Sequence, residues 1–264
     1  RTTTLPSMLE ILTRNWNYRN KTAKLYELGR IYLPGGEDGL AKEPKILSMG
    51  AYGEDMDFFA MKGVIEEILD DIRAENVHFE TCSDNPSYHP GRCATVWVGD
   101  TYVGVFGQIH PLTADNYGVD GELYCAELSF DALFGAMGAD PEYVPLPKFP
   151  SISRDIAVVC GKEITVGKLE AAIRKGAKGL LKEVTLFDVY AGPGVPEGKK
   201  SVAFNLMLRA DDRSLTGEEA DEDLQSILKT LETDCGAVLR EYKPIRRHRI
   251  PGGSSVPPYN FGGN

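Results

Sequence analysis

The segment LFDVYAGPGVPEGKKS (186–201) brings together side chains that suit contact with single-stranded RNA. Tyr190 lies at the end of a predicted strand, and a tyrosine ring offers a flat face on which an unpaired base can stack. Lys199 and Lys200 follow closely and carry charges that suit phosphate groups. Asp188 is able to accept hydrogen bonds from a guanine edge. Two interpretations stay open here, because a tyrosine on a strand packs against its neighbours more often than it stacks on a base.

Other residue types that catalyse reactions are present, but their arrangement does not favour catalysis. A serine or cysteine nucleophile needs a histidine base, and His89 and His110 each precede a proline, which favours a structural role in a turn or an interface. No two histidines have metal-ligand spacing and no cysteines form a CxxC pair, so we expect no metal site and reduced, structural thiols. Four carboxylates on one predicted helix are expected to form a solvated face: Glu66, Glu67, Asp70 and Asp71.

The composition is that of an ordinary globular protein, with 42% hydrophobic and 26% charged residues in 264. No apolar run approaches the roughly 18 residues that span a bilayer, and no signal segment opens the chain. We therefore expect a cytoplasmic protein with no membrane partner. Because the chain begins at Arg1 and not at methionine, we also expect it to be a fragment of something longer or a processed chain.

The charge is distributed unevenly along the chain. Residues 1–147 carry a net charge of −12, residues 148–240 carry −1, and residues 241–264 carry +3. The acidic first part argues against broad affinity for nucleic acid, including DNA. Any RNA binding by the middle part must therefore use a local surface.

Two breaks predict the domain organisation. The stretch from Asp140 to Pro150 contains four prolines, which disfavour helix and strand interiors, and indicates a linker. The segment after Arg240 is rich in proline, glycine and arginine and is typical of a tail. We therefore predict domains at 1–147 and 148–240 and a basic tail, disordered or artificial, at 241–264.

Hydrophobic periodicity predicts an α+β fold for both domains. In the first domain, helices are expected at 7–15 and 57–74 and strands at 24–33, 46–52, 77–81, 94–98, 102–109 and 123–130. Asp57 is predicted to cap the second helix.

In the second domain, the same periodicity predicts strands at 156–159, 184–190, 201–209 and 237–240. It predicts helices at 166–175, between the first two strands, and at 216–233, before the last strand. Thr216 and Glu219 fit a capping box at the second helix. This β-α-β-β-α-β order is ferredoxin-like, with two helices on one face of an antiparallel sheet and the other face open to a ligand.

The second predicted domain contains five motifs in register: FPSISRDIAVV (149–159), LFDVYAG (186–192), EGKKSVAFNL (197–206), RSLTGEE (213–219) and GAVLR (236–240). Together they resemble the ferredoxin-fold anticodon-binding domain of the β subunit of bacterial phenylalanine–tRNA synthetases. RTTTLPSMLEILTRNWNY (1–18), KLYELGRIYL (24–33), DFFAMKGVIEEIL (57–69) and YHPGRCATVWVGDTYVGVFGQIHP (88–111) resemble its catalytic-like module, an antiparallel sheet module related to the class II synthetase core.

The resemblance implies a non-catalytic part of an α2β2 enzyme that attaches phenylalanine to tRNA(Phe) with ATP and magnesium. The α subunit and tRNA(Phe) are the implied partners, and no cofactor is expected in this chain. The positions that match the family's anticodon contacts are Asp188, Tyr190 and Ser201, with Lys200 as a further candidate. The segment GELYCAELSFDALF (121–134) lacks the arginine with which a working core holds ATP, so the chain alone is expected to be inactive.

Two other functions stay open. A ferredoxin-like sheet also serves as a small-molecule-binding regulatory or scaffold module without an RNA role. A free-standing class II-like enzyme is disfavoured by the missing arginine. The tail after Arg240 departs from the family pattern, and its sequence does not decide whether it is natural.

Overall fold

The computed structural model describes residues 1–35, 39–143 and 145–240. The tail predicted at 241–264 lies outside the described residues. Within them, no helix is long and apolar enough to cross a membrane. The chain divides into two compact units, Arg1–Val144 and a second that begins at Pro145. This division falls within the proline-rich stretch from Asp140 to Pro150, whereas the domain boundary at 147/148 stays a prediction.

The first unit is built on a six-stranded sheet whose pairs are all antiparallel, in the order β1-β2-β6-β5-β4-β3. The strands are β1 (Ala23–Arg30), β2 (Lys45–Tyr52), β3 (Val77–Thr81), β4 (Tyr88–Val98), β5 (Thr101–Ile109) and β6 (Tyr124–Ser129). The helices are α1 (Leu5–Asn17), α2 (Phe58–Asp71), α3 (Pro111–Asn116) and α4 (Phe130–Gly135).

Both faces of the central strands are buried, and a different helix covers each. Leu9 and Leu12 of α1 pack with Cys125 of β6 on one face. Ile65 of α2 packs with Phe106 of β5 on the other face. Strands β2, β5 and β6 lie between two hydrophobic clusters, and their sequences are therefore nearly continuous runs of apolar residues.

The N-terminus of α1 is held by a carboxylate from the middle of the sheet. Glu127 of β6 accepts hydrogen bonds from the backbone amides of Thr4 and Leu5 at 2.6 and 3.1 Å, and from the hydroxyls of Thr3 and Thr4. The N-cap residue Thr4 makes no side-chain cap of its own. Glu127 therefore satisfies amides that a helix start leaves unpaired and places a negative charge at the positive end of the helix dipole.

The predicted helices and strands of the first domain are present, with shifted ends. Asp57 caps α2 as predicted, because its carboxylate accepts from the Ala60 amide at 2.7 Å. The short helices α3 and α4 were not predicted. Both have only six residues, which is too short for an apolar periodicity to be recognised.

The second unit has the predicted β-α-β-β-α-β order and is ferredoxin-like. It contains β7 (Ile152–Gly161), α5 (Val166–Gly176), β8 (Leu181–Tyr190), β9 (Lys199–Leu208), α6 (Gly217–Cys235) and β10 (Val238–Leu239). The sheet order is β10-β7-β9-β8, and the pairs are all antiparallel. A hydrophobic cluster joins one face of this sheet to both helices and includes Ile173 of α5 and Leu231 of α6.

The start of α6 confirms the predicted capping box. The Glu219 amide donates to the Thr216 hydroxyl at 3.3 Å, and the Thr216 amide donates to the Glu219 carboxylate at 3.0 Å. Hydrogen bonds from the backbone and hydroxyl of Thr216 lower the pKa of Glu219. The helix ends at Gly236 in the left-handed conformation, with φ +58°, a position that glycine favours.

Candidate nucleic-acid interface

The face of the second sheet opposite α5 and α6 carries the residues predicted to bind RNA. Two neighbouring rows of cross-strand partners lie on this face. One row runs across the sheet through Val238, Val159, Ser201 and Tyr190, and the other through Ala157, Ala203 and Asp188. The inner strands β7 and β9 contribute mostly small side chains to these rows. The result is a shallow floor bordered by β8 on one side and β10 on the other, which we call the open face.

A β-bulge in β8 decides which side chains reach the open face. Leu186 pairs with Phe204 on the helix-covered side, whereas Asp188 pairs with Ala203, so Phe187 is an extra residue. In a regular strand Leu186 and Asp188 would share one face, because side chains alternate with a period of two. The bulge reverses this alternation and turns both Asp188 and Tyr190 to the open face.

The ring of Tyr190 is held by the loop that follows it. Its hydroxyl donates a hydrogen bond to the Pro193 carbonyl at 3.2 Å. Gly192 lies against the ring so closely that a Cβ there would be 2.6 Å from the Tyr190 hydroxyl oxygen and 2.7 Å from Cζ. The side chain remains about a third exposed, at 36%. The loop therefore fixes the ring while leaving part of it accessible.

Ser201 lies beside Tyr190 at the floor of the open face and is only 3% exposed. Its hydroxyl is 3.5 Å from Nη1 of Arg240, which follows β10. The same guanidinium lies over the Tyr190 ring, with Cζ 5.8 Å from the ring centroid. The structure therefore brings Tyr190 and Ser201 together and adds Arg240, which was not among the predicted site residues.

The two lysines at the start of β9 lie in register with opposite sides of the sheet. Lys200 pairs with Cys160, whose side chain belongs to the core under the helices, whereas Lys199 pairs with Gly161 in register with the open face. Burial raises the pKa of the Cys160 thiol, and the charge of Lys200 opposes that rise. The structure thus places Asp188, Tyr190 and Ser201 on one face but does not bring Lys200 to them.

The remaining candidates have structural roles. His110 caps α3 by accepting from the Leu112 amide at 3.2 Å. His89 lies in β4, where its ring accepts from the Gly91 amide at 3.0 Å. Glu66 pairs with Lys62 on α2. The five cysteines are free. In residues 1–35, 39–143 and 145–240, no group of three or more His, Cys, Asp or Glu side chains is placed to hold a metal ion.

Sequence reasoning missed two residues of this site, Gly192 and Arg240. Gly192 belongs to the motif LFDVYAG, but its proximity to the tyrosine ring depends on how the loop folds back. Arg240 is distant from Tyr190 in sequence, and it follows β10 at the edge of the sheet opposite β8. Only its long side chain, which extends past Ser201 of β9, brings the guanidinium to the ring. The closing motif GAVLR (236–240) contains Arg240, but the motif does not indicate that Arg240 contacts Tyr190.

Comparison with known proteins agrees with this architecture. Residues 1–130 match the family described as phenylalanyl tRNA synthetase beta chain CLM domain, and residues 147–240 match the ferredoxin-fold anticodon binding domain. The phenylalanine–tRNA ligase beta subunit of Clostridium tetani is 40% identical over 241 residues, and that of Clostridium acetobutylicum is 38% identical over 241 residues. Each alignment covers 91% of this chain and 30% of the relative.

Among solved structures, the pyrrolysyl-tRNA synthetase of Desulfitobacterium hafniense is similar to this chain with 13% identity and a TM-score of 0.42. The match covers 51% of this chain and 48% of the pyrrolysyl-tRNA synthetase chain.

The ferredoxin-like fold of the second unit and its anticodon-binding family model define a component of an aminoacyl-tRNA synthetase. The chain belongs to the family of phenylalanine–tRNA ligase beta subunits, and it spans about 30% of the length of the curated relatives it matches.

Proposed function

We propose that this chain is a non-catalytic part of a phenylalanine–tRNA ligase, which binds the anticodon of tRNA(Phe) and contacts the α subunit of an α2β2 enzyme. The whole enzyme attaches phenylalanine to tRNA(Phe) with ATP in the cytoplasm, and the chain alone is inactive. The observation that carries the proposal is the open face, where Asp188, Tyr190 and Ser201 lie in adjacent rows.

The open face suits an unpaired base better than a duplex. A partly exposed tyrosine ring provides a stacking surface, and a serine hydroxyl and a carboxylate beside it provide hydrogen-bonding groups for base edges. Bulk charge does not attract RNA here, since residues 148–240 carry a net charge of −1. Lys199, in register with the same face, supports a local phosphate contact in place of Lys200.

The α-subunit contact is proposed for the first unit, and the edge strand β1 supports it. Tyr26 and Leu28 alternate with half-buried residues on β1 and are 79% and 50% exposed. Among the described strands, β1 pairs only with β2. An edge strand with exposed apolar side chains is suited to burial against another chain.

The residues of segment 121–134 and the helix that packs on it do not fit an ATP or magnesium site. The segment 121–134 contains no arginine, and one of its three carboxylates, Glu127, is engaged by the N-terminus of α1. Helix α1 covers this face of the sheet with Leu5, Met8, Leu9 and Leu12. We therefore assign ATP and magnesium to the rest of the enzyme, with the first unit as a scaffold.

The proposal is tested by binding of the 264-residue chain to the tRNA(Phe) anticodon stem-loop, against a stem-loop with a swapped anticodon. We expect preference for the correct loop and a loss of about tenfold or more with Tyr190→Ala, since base–aromatic stacking contributes about 1–3 kcal/mol. Tyr18→Ala is the matched control, because Tyr18 is 75% exposed and belongs to the first unit.

The salt dependence of binding separates the two lysines. Lys199→Ala should weaken binding and reduce the slope of log K against log salt by about 0.7, the value for one phosphate contact on a single strand. Lys200→Ala should leave the slope unchanged. Equal binding to both stem-loops, together with stabilisation by a small metabolite, would favour the regulatory-module alternative.

A further inference from the structure

Cys82 and Cys93 face each other across the last two strands of the first unit's sheet. The β3–β4 register pairs Thr81 with Ala94, and the next pair in that antiparallel register is Cys82 with Cys93. The Cys82 amide donates a hydrogen bond to the Cys93 carbonyl at 3.0 Å, so the pairing continues through the two cysteines. Both side chains pack in the hydrophobic cluster that includes α1, and they therefore lie on the same side of the sheet.

The backbone geometry of this pair suits a disulfide. Directly opposite residues of antiparallel strands have Cα atoms about 4.5 or 5.5 Å apart, and disulfides form at Cα separations of about 4.4–6.8 Å. Cys82 comes just after the end of β3, the last strand of the described sheet, where a small backbone adjustment is easy. Cys125 lies in the same cross-strand row as Cys93, but the strand of Gly107 separates them by about 9–10 Å. The geometry therefore selects Cys82 as the partner of Cys93.

The two thiols differ in their exposure and in their surroundings. Cys82 is partly exposed, and its thiol donates a hydrogen bond to Oδ1 of Asp84 at 3.3 Å. Cys93 is only 5% exposed. Burial raises the pKa of Cys93 to about 12, and the neighbouring Cys82 thiol and its hydrogen bond contribute further. Because a reagent from solvent reaches the exposed thiol first, Cys82 is suited to the first step of an exchange and Cys93 to the second, intramolecular step.

We propose that Cys82 and Cys93 are a redox-sensitive pair that a low-molecular-weight disulfide converts into a cross-strand disulfide. The Cys82 thiolate attacks the small disulfide, forms a mixed disulfide and releases one small thiolate. The Cys93 thiolate then attacks Sγ of Cys82, forms the Cys82–Cys93 bond and releases the second small thiolate. The two cysteine thiols lose two electrons and two protons, and the small disulfide takes up both to become two thiols. Excess small thiol reverses both steps.

The disulfide closes a loop over residues 82–93, which contains the connection between β3 and β4. Arg92 in this loop already donates hydrogen bonds to Gln108 and Glu122 at 2.7 and 2.8 Å. A cross-link stabilises a fold chiefly by constraining the unfolded chain, so oxidation should stabilise the first unit. Both cysteines belong to this unit, and the proposal does not depend on RNA binding by the second unit.

A non-reducing tryptic map of the folded 264-residue chain after incubation with oxidised glutathione tests the proposal. Trypsin cleaves after Arg73, Arg92 and Lys148, so Cys82 lies in peptide 74–92 and Cys93 lies in peptide 93–148. We expect the two peptides to be joined after oxidation, and excess dithiothreitol to separate them. The melting temperature of the first unit should rise by about 5 °C on oxidation.

Three variants assign the link to its two sulfurs. Peptide 93–148 also contains Cys125, so Cys125→Ala is the matched control and should keep the link. Cys82→Ser and Cys93→Ser should each abolish the link and the rise in melting temperature. Cys82 is partly exposed, so Cys82→Ser keeps the test valid even if the buried Cys93→Ser variant does not fold.

The outcomes decide the proposal. If no linked peptide forms in the folded chain, whether Cys82 stays reduced or retains glutathione, the proposal is wrong. A link that persists in Cys93→Ser would contradict it, because the bond would then run to Cys125. A link that appears only in urea would also contradict it, because the folded chain would not bring the two thiols together. None of these results alters the test of anticodon binding with Tyr190→Ala.

Discussion

Replacing Gly192 by alanine should weaken RNA binding by displacing the Tyr190 ring. The added Cβ would lie 2.6, 2.7 and 3.1 Å from the hydroxyl oxygen, Cζ and Cε2 of that ring. Ordinary contacts between such atoms are about 3.5–4.0 Å, so the ring must move by roughly 1 Å. The movement breaks the 3.2 Å hydrogen bond to Pro193 and moves the ring out of its stacking position.

The expected loss is about tenfold in affinity, since stacking of one base contributes about 1–3 kcal/mol and 1.4 kcal/mol is a factor of ten. The free energy of unfolding should change by less than about 1 kcal/mol, because the ring is partly exposed and can swing outward. Titration of the labelled anticodon stem-loop by fluorescence anisotropy measures the affinity, and urea unfolding measures the stability.

A control and a double variant make this test decisive. Gly167→Ala adds the same methyl group in α5, where no atom lies within 4 Å of the new Cβ, and should not affect binding. In the Tyr190→Ala background, Gly192→Ala should cause no further loss, because the atoms it displaces are gone. Wild-type affinity for Gly192→Ala, or a full additional loss in the double variant, would refute the reasoning.

Three further predictions concern stability. Glu127→Ala should lower the free energy of unfolding, measured with urea, by about 3 kcal/mol, because charge-assisted hydrogen bonds to the start of α1 are lost and buried Thr4 is left unpaired. A decrease of less than about 1 kcal/mol would contradict this prediction. Tyr88→Phe should be neutral or stabilising by up to about 1 kcal/mol, since burial raises the pKa of Tyr88 well above its usual value and its hydroxyl has no partner among the described residues. A clear loss of stability would reveal an unseen partner. Glu219→Gln should be less stable than the wild type at pH 7, and the difference should vanish in acid. The reason is that the lowered pKa of Glu219 stabilises the fold above the ordinary value of 4.5 and this contribution is lost as the pH falls through the lowered pKa. Thermal melts from pH 7 to pH 3 test this, and parallel profiles would contradict it.

Local patterns were sufficient to predict most of the fold. The apolar periodicity of α2, the Asp57 cap and the capping box at Thr216 involve neighbours in sequence, so their physics is readable without tertiary contacts. The short helices α3 and α4 escaped prediction because six residues do not establish a period. The role of Glu127 was also hidden, because its carboxylate acts on a helix more than a hundred residues away.

The residue types of the candidate site were determined by the sequence alone. Asp188, Tyr190 and Ser201 were recognisable from their motifs, and the element order predicted a sheet with one open face. None of this indicated which side chains the face displays, because the alternation of a strand is interpretable only once its register is known.

The tertiary structure decided that question through three features. The bulge at Phe187 turns Asp188 and Tyr190 to the open face, and the register of β9 sends Lys200 to the other side. Arg240 follows β10 at the edge opposite β8, and its side chain extends across the open face to the ring of Tyr190. All three features arise from the pairing and order of the strands, which depend on how the whole sheet buries its hydrophobic face against two helices and not on any local pattern.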